Sequence, residues 1–200
     1  MSLNSKGLAL WAKTPKANSE LFALTYGALV TELIKDYETN ISEINTQLEH
    51  IGHSIGVRCV DELLSKAELG GLIIPPCKNM RDTAEVIAKV GFRMFMGMTC
   101  DVGNVTDSSF SLYLFENPLS IFVELPKADE IEEGSPAVDW SQFKYSNVFC
   151  GVIRGALEQV NLKVECEFVR DILQGHDVNE IRVSLKEVIA EGAGEDYQEE

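Results

Sequence analysis

The chain has 200 residues, enough for one domain with a real core, and an ordinary hydrophobic fraction of 45%. Its formal net charge of −15 argues against nucleic acid, whose phosphates demand basic surface, and against simple electrostatic docking on anionic lipid. Five cysteines (Cys59, Cys77, Cys100, Cys150, Cys166) are odd in number, scattered and without a CxxC pair, so neither a disulfide framework nor a zinc site is indicated.

Met1 to Lys16 reads as a flexible lead-in, with the domain proper beginning after residue 17. It lacks a charged n-region followed by an apolar stretch, and no apolar run approaches the roughly 20 residues of a membrane span. The reading is of a reduced, cytosolic chain. Asn18 or Ser19 caps a first helix running to about Tyr37, with Leu21, Leu24, Ala28 and Leu29 expected to face inward. A second helix is expected from Ser42 to Leu64, where Ile44, Leu48, Ile51 and Ile55 repeat at four, three and four residues. Gly70 to Pro76 breaks helix.

Cys77 follows Pro75-Pro76 and stands just ahead of a third helix, Asn79 to Met96. Asn79 is a good N-cap, and Asp82 can complete a capping-box-like pair. Ala84, Ala88, Gly91 and Phe95 recur at four, three and four residues and so share one face. Small side chains on an apolar face leave a groove beside the helix, and a thiol at its mouth suggests an acyl chain on sulfur. The same pattern also suits a helix lying close against a sheet beside an idle reduced thiol. A thiol near the helix N-terminus feels the positive end of the dipole, which favours thiolate.

Beyond that helix the period changes. Phe110 to Phe115 and Leu119 to Leu125 read as strands separated by Asn117-Pro118, and Lys127 to Gln142 as an exposed acidic loop. A fourth helix spans about Ser146 to Val160. Val148, Val152, Ala156 and Val160 form one edge of its apolar stripe, and Gly151 and Gly155 permit close approach to a neighbour. Val164, Cys166 and Phe168, then Ile181, Val183 and Leu185, alternate with polar residues in two further strands. The expected fold class is α+β: helices packed on one face of a twisted four-stranded antiparallel sheet, in a single domain over 1–200. Residues 191–200 read as an acidic tail, and Glu180 to Glu200 holds seven acidic and two basic residues.

His50 and His53 are three apart on a helix, but no further ligand stands nearby and no metal is expected. There is neither a phosphate loop of the GxxxxGK(S/T) type, nor GxGxxG, nor a local nucleophile signature, so the chain does not read as an enzyme.

Several stretches together resemble the small, channel-bearing core subunit of the transport protein particle (TRAPP). They are Glu20 to Val30, Ile55 to Arg58, Thr83 to Lys89, Phe122 to Pro126, Tyr145 to Asn147 and Cys150 to Glu158. The resemblance runs from about Ser19 to Asp196, and it rests on the number, order and spacing of these motifs. It implies a buried hydrophobic channel lined by Ala84, Ile87, Ala88, Gly91 and Phe95, with Cys77 at the mouth as the attachment site of a covalent palmitate or the neighbour of a bound fatty acid. It implies pairing through the first two helices, as a homodimer when isolated and with other TRAPP subunits in the complex. It further implies a non-catalytic part in vesicle tethering between the endoplasmic reticulum and the Golgi apparatus, in the cytoplasm, peripheral to the cis-Golgi and endoplasmic reticulum membranes. The assembled complex would promote nucleotide exchange on a Rab GTPase, reached by the tail residues Glu191, Gly192, Ala193, Gly194, Glu195 and Asp196. Pro76 stands where the family usually has a basic residue before the acylated cysteine. A different reading of the same pocket is a stand-alone soluble carrier of lipid or another hydrophobic ligand.

Overall fold

The computed structural model describes residues 1–126 and 139–189; most of the expected acidic loop and all of the tail Glu191 to Asp196 lie outside the described residues. Among the described residues, six α-helices and four strands make an α+β fold. The helices are α1 (Leu3–Lys13), α2 (Ser19–Asp36), α3 (Ile41–Leu69), α4 (Met80–Val86), α5 (Phe92–Met96) and α6 (Val148–Glu158). The strands are β1 (Asp101–Gly103), β2 (Ser109–Leu114), β3 (Leu162–Arg170) and β4 (Asn179–Val188), in one antiparallel sheet of order β1-β2-β4-β3.

Alternation within the strands decides which face is covered. Phe110 and Leu112 of β2, Val164 and Phe168 of β3, and Ile181 and Val183 of β4 are buried in one cluster with Ile44, Leu48, Ala84, Ala88 and Ile153 of the helices. The opposite face carries Ser111, Tyr113, Glu180 and Arg182. There Ser111 Oγ donates to Glu180 Oε1 at 2.7 Å, and Arg170 Nε donates to the other carboxylate oxygen at 2.8 Å. A buried carboxylate is tolerable because both oxygens are bonded.

α3 and α6 approach closely because each offers two glycines one turn apart. A Cβ on Gly52 or Gly56 would overlap the carbonyl oxygen of Val148 or Val152, and one on Gly151 or Gly155 would overlap that of Glu49 or His53. The seam is flanked by Arg154–Glu49 at 2.9 Å and His53–Glu158 at 2.5 Å. The latter contact, across helices, is what His53 does.

Four sequence expectations need correction. The lead-in over 1–17 contains α1, which is capped by Ser2 and buries Leu10. On α2 the inward residues are Ala23, Tyr26 and Val30, and Tyr26 Oη donates to the Tyr145 carbonyl at 2.5 Å. Leu21, Leu24 and Ala28 face outward and Leu29 lies on the cavity side, off the core, because α2 is apolar on more than one face and periodicity does not say which one is the core. Residues 119–125 form no strand: Asn117 caps a turn through Leu119 N, and Ile121 and Phe122 are exposed. The fourth strand is instead β1, three residues long. The third helix is not one uniform α-helix but α4 and α5 joined by a π-turn over Ile87–Gly91.

Candidate functional site

The site is built around the N-terminus of α4. Pro75 and Pro76 cannot continue a helix, so the chain arrives extended and delivers Cys77 to the surface. The helix then starts abruptly. Asn79 Oδ1 accepts from Asp82 N at 2.9 Å, while Asp82 Oδ2 accepts from Lys78 N at 3.0 Å. This reciprocal pair fixes the position of Cys77 relative to the helix.

From Cys77 a cavity of about 1500 Å³ extends between the helices and the ends of β3 and β4. Its walls include Thr83, Ile87, Gly91, Phe92 and Phe95 of the α4–α5 rod, Phe149, Val152 and Ile153 of α6, and Leu162 and Leu185 of the sheet. Phe22 and Leu29 of α2 and Ile55 and Cys59 of α3 line it as well. Phe92 and Phe149 meet edge to face, with centroids 5.7 Å apart. The volume exceeds the roughly 300–1,000 Å³ usual for a drug-sized ligand.

The π-turn decides which residues of the rod see this space. Phe92 N donates to Ile87 O, five residues back rather than four, so one residue is inserted into the helical phase. Up to Ala88 the face that follows Ala84 points at the sheet, and both alanines are fully buried there. After the insertion Phe92 takes the next place on that face, and Gly91 turns toward the cavity. Ile87, Gly91 and Phe95 therefore line the cavity, whereas Ala84 and Ala88 do not; their small size serves close packing on the core. Among the described residues, the nearest neighbour of a Cβ placed on Gly91 is the Val86 carbonyl oxygen at 4.0 Å. Empty space, rather than a backbone clash, is what the glycine leaves.

The expected thiolate character of Cys77 is also corrected. Partial burial raises its pKa above the ordinary thiol value, a hydrogen bond from Thr83 opposes the rise, and the Asp82 carboxylate adds to it. The capping carboxylate places negative charge where the dipole's positive end would have acted. This environment favours the thiol over the thiolate and, once Cys77 is acylated, makes its sulfur a poorer leaving group, since thiols of higher pKa leave more slowly. Burial pushes Cys100 up to about 12 and raises Cys150 and Cys166 strongly, so these three are inert core thiols. Among the described residues no group of His, Cys, Asp and Glu is arranged to hold a metal ion, and no helix is long and apolar enough to cross a membrane.

Sequence reasoning missed the contributions of α2, α3 and the strand ends to the wall. Val152, Ala156 and Val160 carried a usable signal: residues repeating at four drift around a helix and mark a second apolar edge beside the core-facing one. Thr83 beside the thiol carried none.

Comparison with known proteins gives concordant results. The family model for transport protein particle (TRAPP) components matches residues 22–184. The trafficking protein particle complex subunit 3 of Dictyostelium discoideum is 46% identical over 187 residues, covering 92% of this chain and 92% of its own. The trafficking protein particle complex subunit BET3 of Saccharomyces cerevisiae is 39% identical over 191 residues, covering 94% of this chain and 91% of its own. A crystal structure of a trafficking protein particle complex subunit 3 from Naegleria fowleri, covalently bound to palmitic acid, superposes with a TM-score of 0.75 at 47% identity, covering 87% of this chain and 98% of that one.

Proposed function

The chain belongs to the transport protein particle (TRAPP) component family, and from that premise we propose that it is a core subunit carrying a long acyl chain on Cys77, laid into the cavity as a structural element. One observation carries this reading: the exposed Cys77 stands at the rim of a large apolar cavity into which Gly91 leaves room. The covalently bound palmitic acid of the Naegleria fowleri structure supports it. The rod Met80–Met96 spans about 25 Å at 1.5 Å per residue, comparable to an extended sixteen-carbon chain. Burying such a chain at about 0.8 kcal/mol per methylene stabilises the fold by an upper bound on the order of 10 kcal/mol. Hydrocarbon already held by protein gains little by moving into lipid, so the chain serves packing and not anchorage. Loading is a thioester exchange. The Cys77 sulfur attacks an acyl thioester, its proton passes to the departing thiol, and the raised pKa of Cys77 then retains the product.

The outward face of α2 supports pairing with a second copy or a related subunit. Leu21 is 66% exposed and Leu24 57% exposed, two large apolar side chains on α2 that are neither in the core nor on the cavity wall. Assembled with other TRAPP subunits, the protein would act without catalysis of its own in vesicle tethering between endoplasmic reticulum and Golgi apparatus, in the cytoplasm and peripheral to those membranes. In that assembly the acidic tail Glu191 to Asp196 would approach the nucleotide site of a Rab GTPase and promote exchange.

Intact-mass spectrometry of the chain purified from a eukaryotic host tests the acyl reading. A fatty-acyl increment is expected on wild type and absent from Cys77→Ser. An unmodified mass accompanied by extractable fatty acid would instead favour the stand-alone carrier.

A further inference from the structure

We infer that α1 is a strap that holds the Cys77-bearing segment against the cavity wall, with Lys6 and Gly7 as its positioning residues for the proposed acyl site. Residues 70–76 have no regular structure, yet they are tied down from two sides. From below, Leu72 and Ile74 pack on a small separate core of Leu10, Ala67, Val90 and Met94. From outside, Lys6 Nζ donates to the Ile73 carbonyl at 2.7 Å and Lys13 Nζ to the Gly70 carbonyl at 3.3 Å. Ile74, Pro75 and Pro76 are themselves cavity wall, and Cys77 follows directly.

The fit of α1 is close along its length. A Cβ on Gly7 would overlap the Lys89 carbonyl oxygen in the π-turn, and Trp11 lies 2.9 Å from where a Cβ on Gly97 would stand, at a residue with φ of 74°. Helix α1 thus touches both parts that define the site: the segment presenting the thiol and the turn that points Gly91 into the cavity. Its buried cluster is separate from the one beneath the sheet, although the π-turn and α5 on which it packs also carry Ala88 and Phe92 of the main core. An element packed on a satellite core, holding an extended segment by two lysine–carbonyl bonds, can release without unfolding the domain. Its release frees residues 70–78 and opens the rim around Cys77.

The inference uses the acyl reading of Cys77 only for what the strap protects, and the test separates the two. Hydrogen exchange by mass spectrometry is followed on the full chain for wild type, Lys6→Ala, Lys6→Arg and Gly7→Leu. Exchange in the peptide spanning 70–78 rises about tenfold in Lys6→Ala and Gly7→Leu, the scale of losing a charged-group hydrogen bond from a local opening equilibrium. Lys6→Arg keeps the wild-type rate, and α6 and β2 exchange as in wild type throughout. Equal exchange over 70–78 in all four proteins overturns the strap, as does a rise shared by α6 and β2, which would report a merely structural role. In acylated samples, hydroxylamine removes the Cys77 acyl group faster in the two loosened variants. If wild type carries no acyl group, the covalent reading falls while the exchange data still decide the strap.

Discussion

Replacing Gly91 by leucine tests the site at its most specific point. The missing Cβ of Gly91 faces open space, with the Val86 carbonyl oxygen at 4.0 Å as its nearest neighbour. The substitution therefore meets no backbone. Removing glycine from a helical position contributes about 0.5–1 kcal/mol of stability, and the new side chain gains part of the roughly 1.5–3 kcal/mol of a buried leucine. Against the remaining void the net effect is about 1 kcal/mol of stabilisation, or a rise in Tm of roughly 2–4 °C for a chain of this size. Acylation itself stabilises the fold, so the melt is measured in a Cys77→Ser background, where neither protein carries a chain. In the Cys77 background, intact mass then shows acyl occupancy falling to near zero, because the leucine occupies the path along Ile87 and Phe95. Normal occupancy would place the chain elsewhere in the cavity. A lower Tm in the Cys77→Ser background would mean that Gly91 abuts structure, and that the π-turn argument is wrong.

The α3–α6 seam predicts the opposite sign. Gly151→Ala drives a methyl into the Glu49 carbonyl, and chemical denaturation should show about 1–3 kcal/mol of destabilisation. Leu24→Lys on the outward face of α2 should leave the fold intact and turn a self-associating protein into a monomer by light scattering. In unacylated protein, alkylation of Cys77 should increase with pH beyond the ordinary thiol range. Because Asp82 raises this pKa and Thr83 lowers it, the inflection moves down in Asp82→Asn and up in Thr83→Val. Deletion of 191–200 should slow nucleotide release from the Rab by the assembled complex while subunit assembly persists, measured by stopped-flow fluorescence; unchanged release would move the GTPase contact away from the tail.

The readable parts of this protein were those in which one residue type has one consequence. Asn79 with Asp82 announces a helix start, strict alternation announces β3 and β4, and Gly151 with Gly155 announces close packing that the α3 glycines complete. The unreadable parts depend on context. The outward leucines of α2 look like core because the helix carries apolar residues on more than one face, and periodicity does not mark which face is packed. The π-turn leaves no mark in the sequence, yet it reassigns Ala84 and Ala88 to the core and Gly91 to the cavity. Three residues in β1 are too few to show alternation. In 119–125 a β-prone run lost to the turn set by Asn117 and Pro118. The satellite core under α1 joins Leu10 to Ala67, Val90 and Met94, a set that no local window contains.

The most direct measurement is a crystal structure of the purified chain at a resolution that shows hydrocarbon. The account predicts continuous density leaving Cys77 Sγ, entering the cavity past Thr83 and Ile87, and passing Gly91 toward Phe149 and Ile153. A free thiol at Cys77 above an empty or water-filled cavity would contradict it.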